Sequence, residues 1–366
     1  MISVYIHIPF CQNICSYCDF CKIFYNEKMV DEYLEALKLE IETNYKGEVV
    51  KTIYIGGGTP SVLNINQLTK LLEITKIFKM ATDFEFTIEG NFESTDFSKL
   101  DLYKKYGVNR LSFGIETTNE SLLKLLKRTL DKSHVVEIIN YAKKIGLYNI
   151  NVDLIYALPG EDILDLKKDL EFICSLDIKH ISTYSLIIEN NTILGIKGFK
   201  SIDEDLDSEM YNFIRKYLKD RGFEHYEISN FCLKGYESKH NLVYWNNFEY
   251  YGFGAGASSY IGNKRINNTR SVTKYCTEFF ARDCEELNFH DKMEYEIILN
   301  LRTSKGILRD KFKKLYGKDV DEYYNYDKLV KDGFLFENNE RIYINEDYWY
   351  ISNRIIIEFL EGEING

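Results

Sequence analysis

Eight cysteines are spread unevenly along the 366-residue chain, and the unevenness carries the first chemical signal. Cys11, Cys15, Cys18 and Cys21 crowd into one short segment, whereas Cys174, Cys232, Cys276 and Cys284 are scattered. Clustering favours a metal site over a disulfide framework, and the scattered four read as small, half-buried apolar side chains. Cys11, Cys15 and Cys18 stand in a CxxxCxxC pattern directly after a strand-like run. A loop of that spacing curls three thiolates around one face of an iron–sulfur cubane and leaves the fourth iron without a protein ligand. Such an open iron can be chelated by a small molecule offering amino and carboxylate groups. Structural zinc is the competing reading, but it usually takes four ligands in two paired knuckles, and no second knuckle exists. Cys21 reads as a spare thiol, a repair ligand or packing.

A second chemical segment follows, where Thr52-Ile53-Tyr54-Ile55 runs into Gly56-Gly57-Gly58-Thr59-Pro60. Glycines let backbone N–H and C=O groups approach a ligand closely. The Gly-Lys-Ser/Thr ending of a phosphate loop is absent. Glu89, Glu116 and Asp153 fall at or near the C-terminal ends of strand-like runs, the rim on which barrel chemistry collects. Arg128, on the following helix, is placed to pair with a carboxylate. Each of these charges taken alone also reads as a solvated surface group or a helix cap.

The elements that must position these residues alternate. Strand candidates are Val4–Ile8, Thr52–Ile55, Phe84–Ile88, Arg110–Ile115, Asn149–Tyr156 and Ile181–Ile187. Amphipathic stretches separate them, including Val30–Asn44, Gln67–Phe78, Leu122–Leu126, His134–Lys144 and Ile163–Cys174. Six strand–helix units predict an α/β fold, a partial (β/α)6 TIM-like barrel over residues 1–222. Residues 223–285, rich in Tyr, Gly and Asn, predict a β-rich extension, and 286–366 a small C-terminal winged-helix-like α+β domain. Gly252-Phe253-Gly254-Ala255-Gly256-Ala257 looks faintly like a dinucleotide fingerprint, but no helix follows it.

With a net charge of −11 there is no global basic field for a phosphate backbone, which argues against nucleic acid. No run approaches the roughly 18 apolar residues of a membrane span, and the first residues do not read as a signal peptide. The expectation is therefore a cytoplasmic protein without a transmembrane segment.

The cysteine triplet and the glycine turn downstream of it resemble the signature of the radical S-adenosylmethionine superfamily. Tyr5-Ile6-His7-Ile8-Pro9-Phe10-Cys11, Asn109-Arg110-Leu111-Ser112-Phe113-Gly114 and Asp153-Leu154-Ile155-Tyr156-Ala157-Leu158-Pro159-Gly160 extend the likeness to the oxygen-independent coproporphyrinogen oxidase and HemW branch. The resemblance implies a [4Fe–4S] cluster on Cys11, Cys15 and Cys18. It also implies an S-adenosylmethionine pocket drawn from Tyr5, Gly56, Gly57, Gly58, Thr59, Glu89, Glu116, Arg128 and Asp153, with the glycine turn holding the methionine amino group. An electron-donor protein is implied as a partner. Glu116-Thr117-Thr118 stands where the branch usually has Gln-Ser-Phe, Ser258 where a His is common, and Phe20 where the oxidases carry an extra cysteine.

Two functions compete within the branch. The oxidases convert coproporphyrinogen propionates to vinyls, whereas HemW-like proteins bind heme and pass it to an acceptor protein. His240-Asn241-Leu242-Val243-Tyr244-Trp245 matches the HNxxYW pattern associated with heme in the latter. His240 then offers an imidazole to iron, with Tyr244 and Trp245 as flat apolar surface. A lone His beside aromatics also reads as a hydrogen-bonded packing residue. Only four residues precede Tyr5, where the oxidases carry an extension, and this too favours the heme-handling side. A divergent radical enzyme acting on another substrate and a purely structural role remain as alternatives.

Overall fold

The computed structural model describes residues 1–278 and 282–364, so residues 279–281 and 365–366, within the expected extension and C-terminal domain, lie outside the description. Six parallel strands, β1 (Ile2–Ile8), β2 (Val49–Gly57), β3 (Lys79–Asn91), β4 (Arg110–Glu116), β5 (Asn149–Tyr156) and β6 (His180–Ser185), lie side by side in chain order. Their apolar positions are buried almost completely, as expected of strands covered by crossover helices. The covering helices include α1 (Glu27–Asn44), α2 (Ile65–Ile74), α3 (Phe97–Lys105), α4 (Glu120–Leu126), α5 (Lys132–Lys144) and α6 (Ile163–Ser175). In α1, Val30, Leu34, Leu37 and Ile41 recur at helical spacing and are buried, and Asn26 caps the start by accepting from the Met29 backbone N–H. A capping box of Asn64 and Gln67 opens α2, which passes into a 3-10 turn at Thr75, so the single helix expected over Gln67–Phe78 is two pieces. The last expected strand also stops short, at Ser185, and Leu186 turns back to bond the Tyr156 carbonyl.

The extension is part of the same sheet. After α7 (Glu204–Lys219), the strands β7 (Glu224–Glu227) and β8 (Asn230–Cys232) add antiparallel to β6. The chain then crosses the barrel through α8 (Lys239–Trp245), and β9 (Tyr250–Phe253) pairs parallel with the free edge of β1. Strands β10 (Ser258–Ile261), β11 (Lys264–Asn268) and β12 (Arg282–Glu286) continue antiparallel from β9. The result is an open sheet of 12 strands in the order β12-β11-β10-β9-β1-β2-β3-β4-β5-β6-β8-β7. Seven parallel strands rather than six therefore curve around the interior.

Beyond α9 (Phe289–Asn300), a three-stranded antiparallel sheet of Ile307–Leu308, Arg341–Ile344 and Leu335–Glu337 packs with short helices, closing with Ser352–Glu361. This is the small α+β unit expected at the C-terminus. Among the described residues no helix is long and apolar enough to cross a membrane.

Candidate cluster and cofactor site

Strand register builds the site. Alternation on a pleated strand sends every second side chain to the barrel interior, so Tyr5 and His7 of β1, Glu89 of β3, Ser112 and Gly114 of β4 and Asp153 of β5 share that face. Glu89 pairs with Ser112, and Gly114 with Asp153. A register shift between Gly114 and Glu116 breaks the alternation, and Glu116 takes a left-handed φ of 61°. The bulge turns the Glu116 carboxylate inward, behind Gly114, where any Cβ would lie 2.4 Å from Glu116 Oε1.

These residues surround a cavity of about 900 Å³. Cys11, Cys15, Cys18, Tyr5, Gly57, Gly58, Thr59, Glu89, Glu116, Arg128 and Asp153 line it, which is every residue expected there from sequence except Gly56 and His240. The cysteine loop is pinned to the barrel by its intervening residues. Ser16 Oγ donates to the Leu125 carbonyl at 2.7 Å, its N–H to that of Leu126 at 3.1 Å, and Tyr17 Oη to Glu116 Oε1 at 3.0 Å.

The glycine turn is also packed tightly against the protein. In the direction a side chain would take, each of these glycines meets protein. A Cβ on Gly56 would sit 2.7 Å from Glu89, on Gly57 2.4 Å from the His7 ring, and on Gly58 2.9 Å from the Ile8 carbonyl. Gly57, at φ 113°, donates its N–H to Glu89 Oε2 at 3.0 Å, and Tyr54 Oη donates to Oε1 at 2.6 Å. Burial raises the Glu89 pKa to about 7, against the pull of these donors.

Arg128 reaches the same cavity from beyond α4. Its guanidinium donates to Glu116 Oε1 at 2.9 Å and to the Gly114 carbonyl at 3.2 Å, with Glu93 at 3.4 Å. Asp153 accepts from Asn151 Nδ2 at 2.8 Å, and burial raises its pKa.

The residues fit an iron–sulfur cluster with a chelating ligand. All three cysteines are free thiols, and Cys11 Sγ takes a bond from Thr59 Oγ1 at 3.6 Å. Burial pushes the Cys15 thiol up to about 11, so it stays protonated until a metal supplies the compensating charge. Among the described residues no three Cys, His, Asp or Glu side chains converge as the ligands of one metal ion. A cubane does not require that, because each thiolate takes a different iron. Glu116 Oε2 and Arg128 Nε are buried at this wall without a protein partner, leaving one acceptor and one donor for a bound molecule. Cys21 also borders the cavity, but its Sγ donates to the Arg270 carbonyl at 3.0 Å, which favours the packing reading.

His240 is where the geometry departs from the expectation. It lies on α8, 1% exposed, beneath the cavity and outside its lining. Its Nδ1 bonds Thr52 Oγ1 at 2.7 Å, its Nε2 bonds Tyr244 Oη at 2.8 Å, and Glu85 accepts its backbone N–H at 3.0 Å. Burial, helped by the charge of Arg110, lowers its pKa to about 3. With both ring nitrogens engaged, this imidazole is not presented to an iron. Of the segment, only Tyr244 lines the cavity. His240→Ala is expected to cost about 2–4 kcal/mol, because it opens a void and strands two hydroxyls, and denaturant unfolding measures it. Sequence reasoning missed Tyr17, Ser112, Tyr184 and Arg270, which also line the cavity. The alternation of β4 and β6 was the available signal for Ser112 and Tyr184.

An open parallel barrel with three free thiols on a loop at its rim, next to a glycine turn and a charged wall, defines a radical S-adenosylmethionine protein. The Radical SAM superfamily model matches residues 5–173, and the HemN C-terminal domain model matches 287–347. The chain belongs to the HemW family. It is 39% identical to the heme chaperone HemW of Bacillus subtilis, covering 100% of both chains. Identity is 38% to that of Lactococcus lactis, over 99% of this chain and 98% of the relative. The HemW of Escherichia coli is 30% identical over 96% and 94%. In fold, the chain superimposes on coproporphyrinogen III oxidase (HemN) from Escherichia coli with a TM-score of 0.86 at 22% identity, covering 98% of this chain and 89% of that one. The radical SAM class implies a [4Fe–4S] cluster and S-adenosylmethionine as cofactors.

Proposed function

We propose that this protein binds heme and delivers it to acceptor proteins in the cytoplasm, on a barrel that carries a [4Fe–4S] cluster and S-adenosylmethionine. The observation that carries this reading is the end-to-end similarity to heme chaperones HemW, including 100% coverage in both directions with the Bacillus subtilis protein. Residues 1–222 form the radical SAM barrel, 223–285 its β-rich extension and 286–366 the C-terminal domain. Cys11, Cys15 and Cys18 bind the cluster. When bound, the cluster supplies one electron, received from a donor protein, to the sulfonium of S-adenosylmethionine. Glu89 provides the negative charge for the methionine amino group beside the Gly57 and Gly58 backbone, and Thr59 and Tyr5 complete that side. Arg128 offers a cation to the carboxylate. Glu116 and Asp153 accept from the ribose hydroxyls. His240 supports this floor from beneath.

The test is anaerobic reconstitution of the full chain, followed by hemin titration and transfer to an apo-heme acceptor, with coproporphyrinogen and a strong reductant supplied in parallel. Heme uptake without protoporphyrinogen formation is expected. Turnover to protoporphyrinogen without heme uptake would replace the reading by the decarboxylase one.

Glu89 gives a pH prediction. Its bound-state role needs the carboxylate, and its pKa is raised to about 7, so the acid form dominates below that. S-adenosylmethionine affinity is therefore expected to rise as pH climbs through about 7, by up to roughly tenfold per unit on the acid side. Calorimetry at pH steps measures it, and Glu89→Gln should flatten the profile at the low-affinity level.

A further inference from the structure

Reducing a cluster adds negative charge to its surroundings, so the charges already gathered there decide how readily it takes the electron. Five carboxylates, on Asp19, Glu89, Glu116, Asp153 and Glu189, line the cavity, against the three cations Lys22, Arg128 and Arg270. Arg128 is engaged by Glu116 at 2.9 Å and Glu93 at 3.4 Å, and Arg270 has Asp19 at 3.7 Å. Lys22 differs from both. Its Nζ donates to the Cys18 and Phe20 carbonyls, at 2.5 and 3.2 Å, and it forms no ion pair among the described residues, so its charge stays uncancelled.

Backbone bonds on both sides fix where this ammonium stands. His7 Nε2 donates to the Cys21 carbonyl at 2.8 Å, and the Ile23 N–H donates to the Pro9 carbonyl at 2.7 Å, where Phe10 and Ile23 pair in parallel. Between these anchors the Lys22 side chain folds back across residues 18–21. Burial raises the Cys11 and Cys18 thiols, and the Lys22 charge works against that rise at both. A cation that favours the negative thiolates also favours negative charge on what the thiolates hold.

We infer that Lys22 is a positioning residue for the reductive step: its ammonium, fixed against the cysteine loop, makes the cluster easier to reduce than the surrounding carboxylates alone would allow. The inference rests on Cys11, Cys15 and Cys18 holding the cluster, and adds a residue outside that ligand set. It also gives a reason for a lysine in this turn, because in a chain of net charge −11 the field of the whole protein opposes an added electron.

An EPR-monitored redox titration of the anaerobically reconstituted full chain, without S-adenosylmethionine and at matched iron and sulfide content, tests it. Lys22→Met is expected to lower the ratio of reduced to oxidised cluster at a given potential roughly tenfold, a midpoint about 59 mV lower. Lys22→Arg keeps the charge and should stay within about twofold of the parent ratio, whereas Lys22→Glu should pass Lys22→Met in the same direction. Iron, sulfide and the EPR line shape should match the parent in all three, which separates an effect of charge from a lost tie in the loop. A Lys22→Met ratio within about twofold of the parent overturns the inference, as does an equal drop in Lys22→Arg and Lys22→Met. Failure of Lys22→Met to retain a cluster would make Lys22 a structural tie of the loop and equally overturn it. If the parent chain itself takes up no cluster, the cysteine assignment fails and the inference falls with it.

Discussion

Replacing Cys11, Cys15 and Cys18 together by alanine is expected to remove the iron–sulfur cluster completely, with iron and acid-labile sulfide falling to background after anaerobic reconstitution. The three thiols line one cavity from a loop whose backbone is fixed at Cys11 and again at Ser16. Tyr25 N–H bonds the Cys11 carbonyl at 2.8 Å, and Ser16 bonds the Leu126 carbonyl at 3.1 Å. No other cysteine is placed to substitute, because Cys21, although it borders the cavity, donates its thiol to the Arg270 carbonyl, and none of the remaining four lines the cavity. Single replacements should already prevent a stable cluster, since two thiolates on a mobile cubane leave two irons open to solvent. Cys21→Ala is the control. It should retain full iron and sulfide content and cost about 1 kcal/mol, the loss of a weak hydrogen bond and a small buried group. A cluster EPR signal persisting in the triple variant would overturn the ligand assignment.

The gathering of these three thiols on one cavity was legible because their spacing is a local property. Three cysteines within eight positions fix a loop whatever the rest of the chain does, and the strand pattern of Thr52–Ile55 or Asn149–Tyr156 is likewise written in nearest neighbours. Topology beyond the helices was not. Nothing near Tyr250–Phe253 announces that this short strand crosses the molecule to lie parallel to β1, since its partners Ser3 to Ile6 stand 247 positions earlier in the chain. The polar interior was hidden for a related reason. Arg110 and Ser112 sit in a strand whose residues are all buried, and only the curvature of the sheet shows that their side chains point inward. His240 shows the limit of a motif. Six matching letters identify a segment, but which way its imidazole faces is decided by Thr52 and Tyr244, and neither spacing nor residue type encodes those contacts. Glu116 was placed correctly at the end of its strand, yet the bulge that turns it inward depends on backbone geometry no composition reveals.

The ion pair that this bulge creates carries the second large effect. Glu116 and Arg128 meet at 2.9 Å with side chains 7% and 5% exposed. Removing one partner from a buried pair leaves the other charge without compensation, at a cost of about 3–5 kcal/mol. Arg128→Ala is therefore expected to lower unfolding stability by that amount and to abolish S-adenosylmethionine binding, because the cation at the wall is lost along with the position of Glu116. Stability and binding should then separate in the double variant. Adding Glu116→Gln to Arg128→Ala removes the stranded carboxylate, and Gln can still accept from Tyr17 Oη, which in the parent donates to Glu116 at 3.0 Å. Much of the lost stability should return, with a coupling of roughly 1–3 kcal/mol in the double-mutant cycle, while cofactor affinity stays low because no guanidinium replaces Arg128. Glu116→Gln alone should be milder, since Arg128 keeps the Gly114 carbonyl at 3.2 Å and Glu93 at 3.4 Å. Denaturant unfolding gives the stability terms and calorimetry with S-adenosylmethionine the binding terms. Equal recovery of both in the double variant would show that Arg128 serves only to neutralise Glu116 and makes no contact of its own with the cofactor.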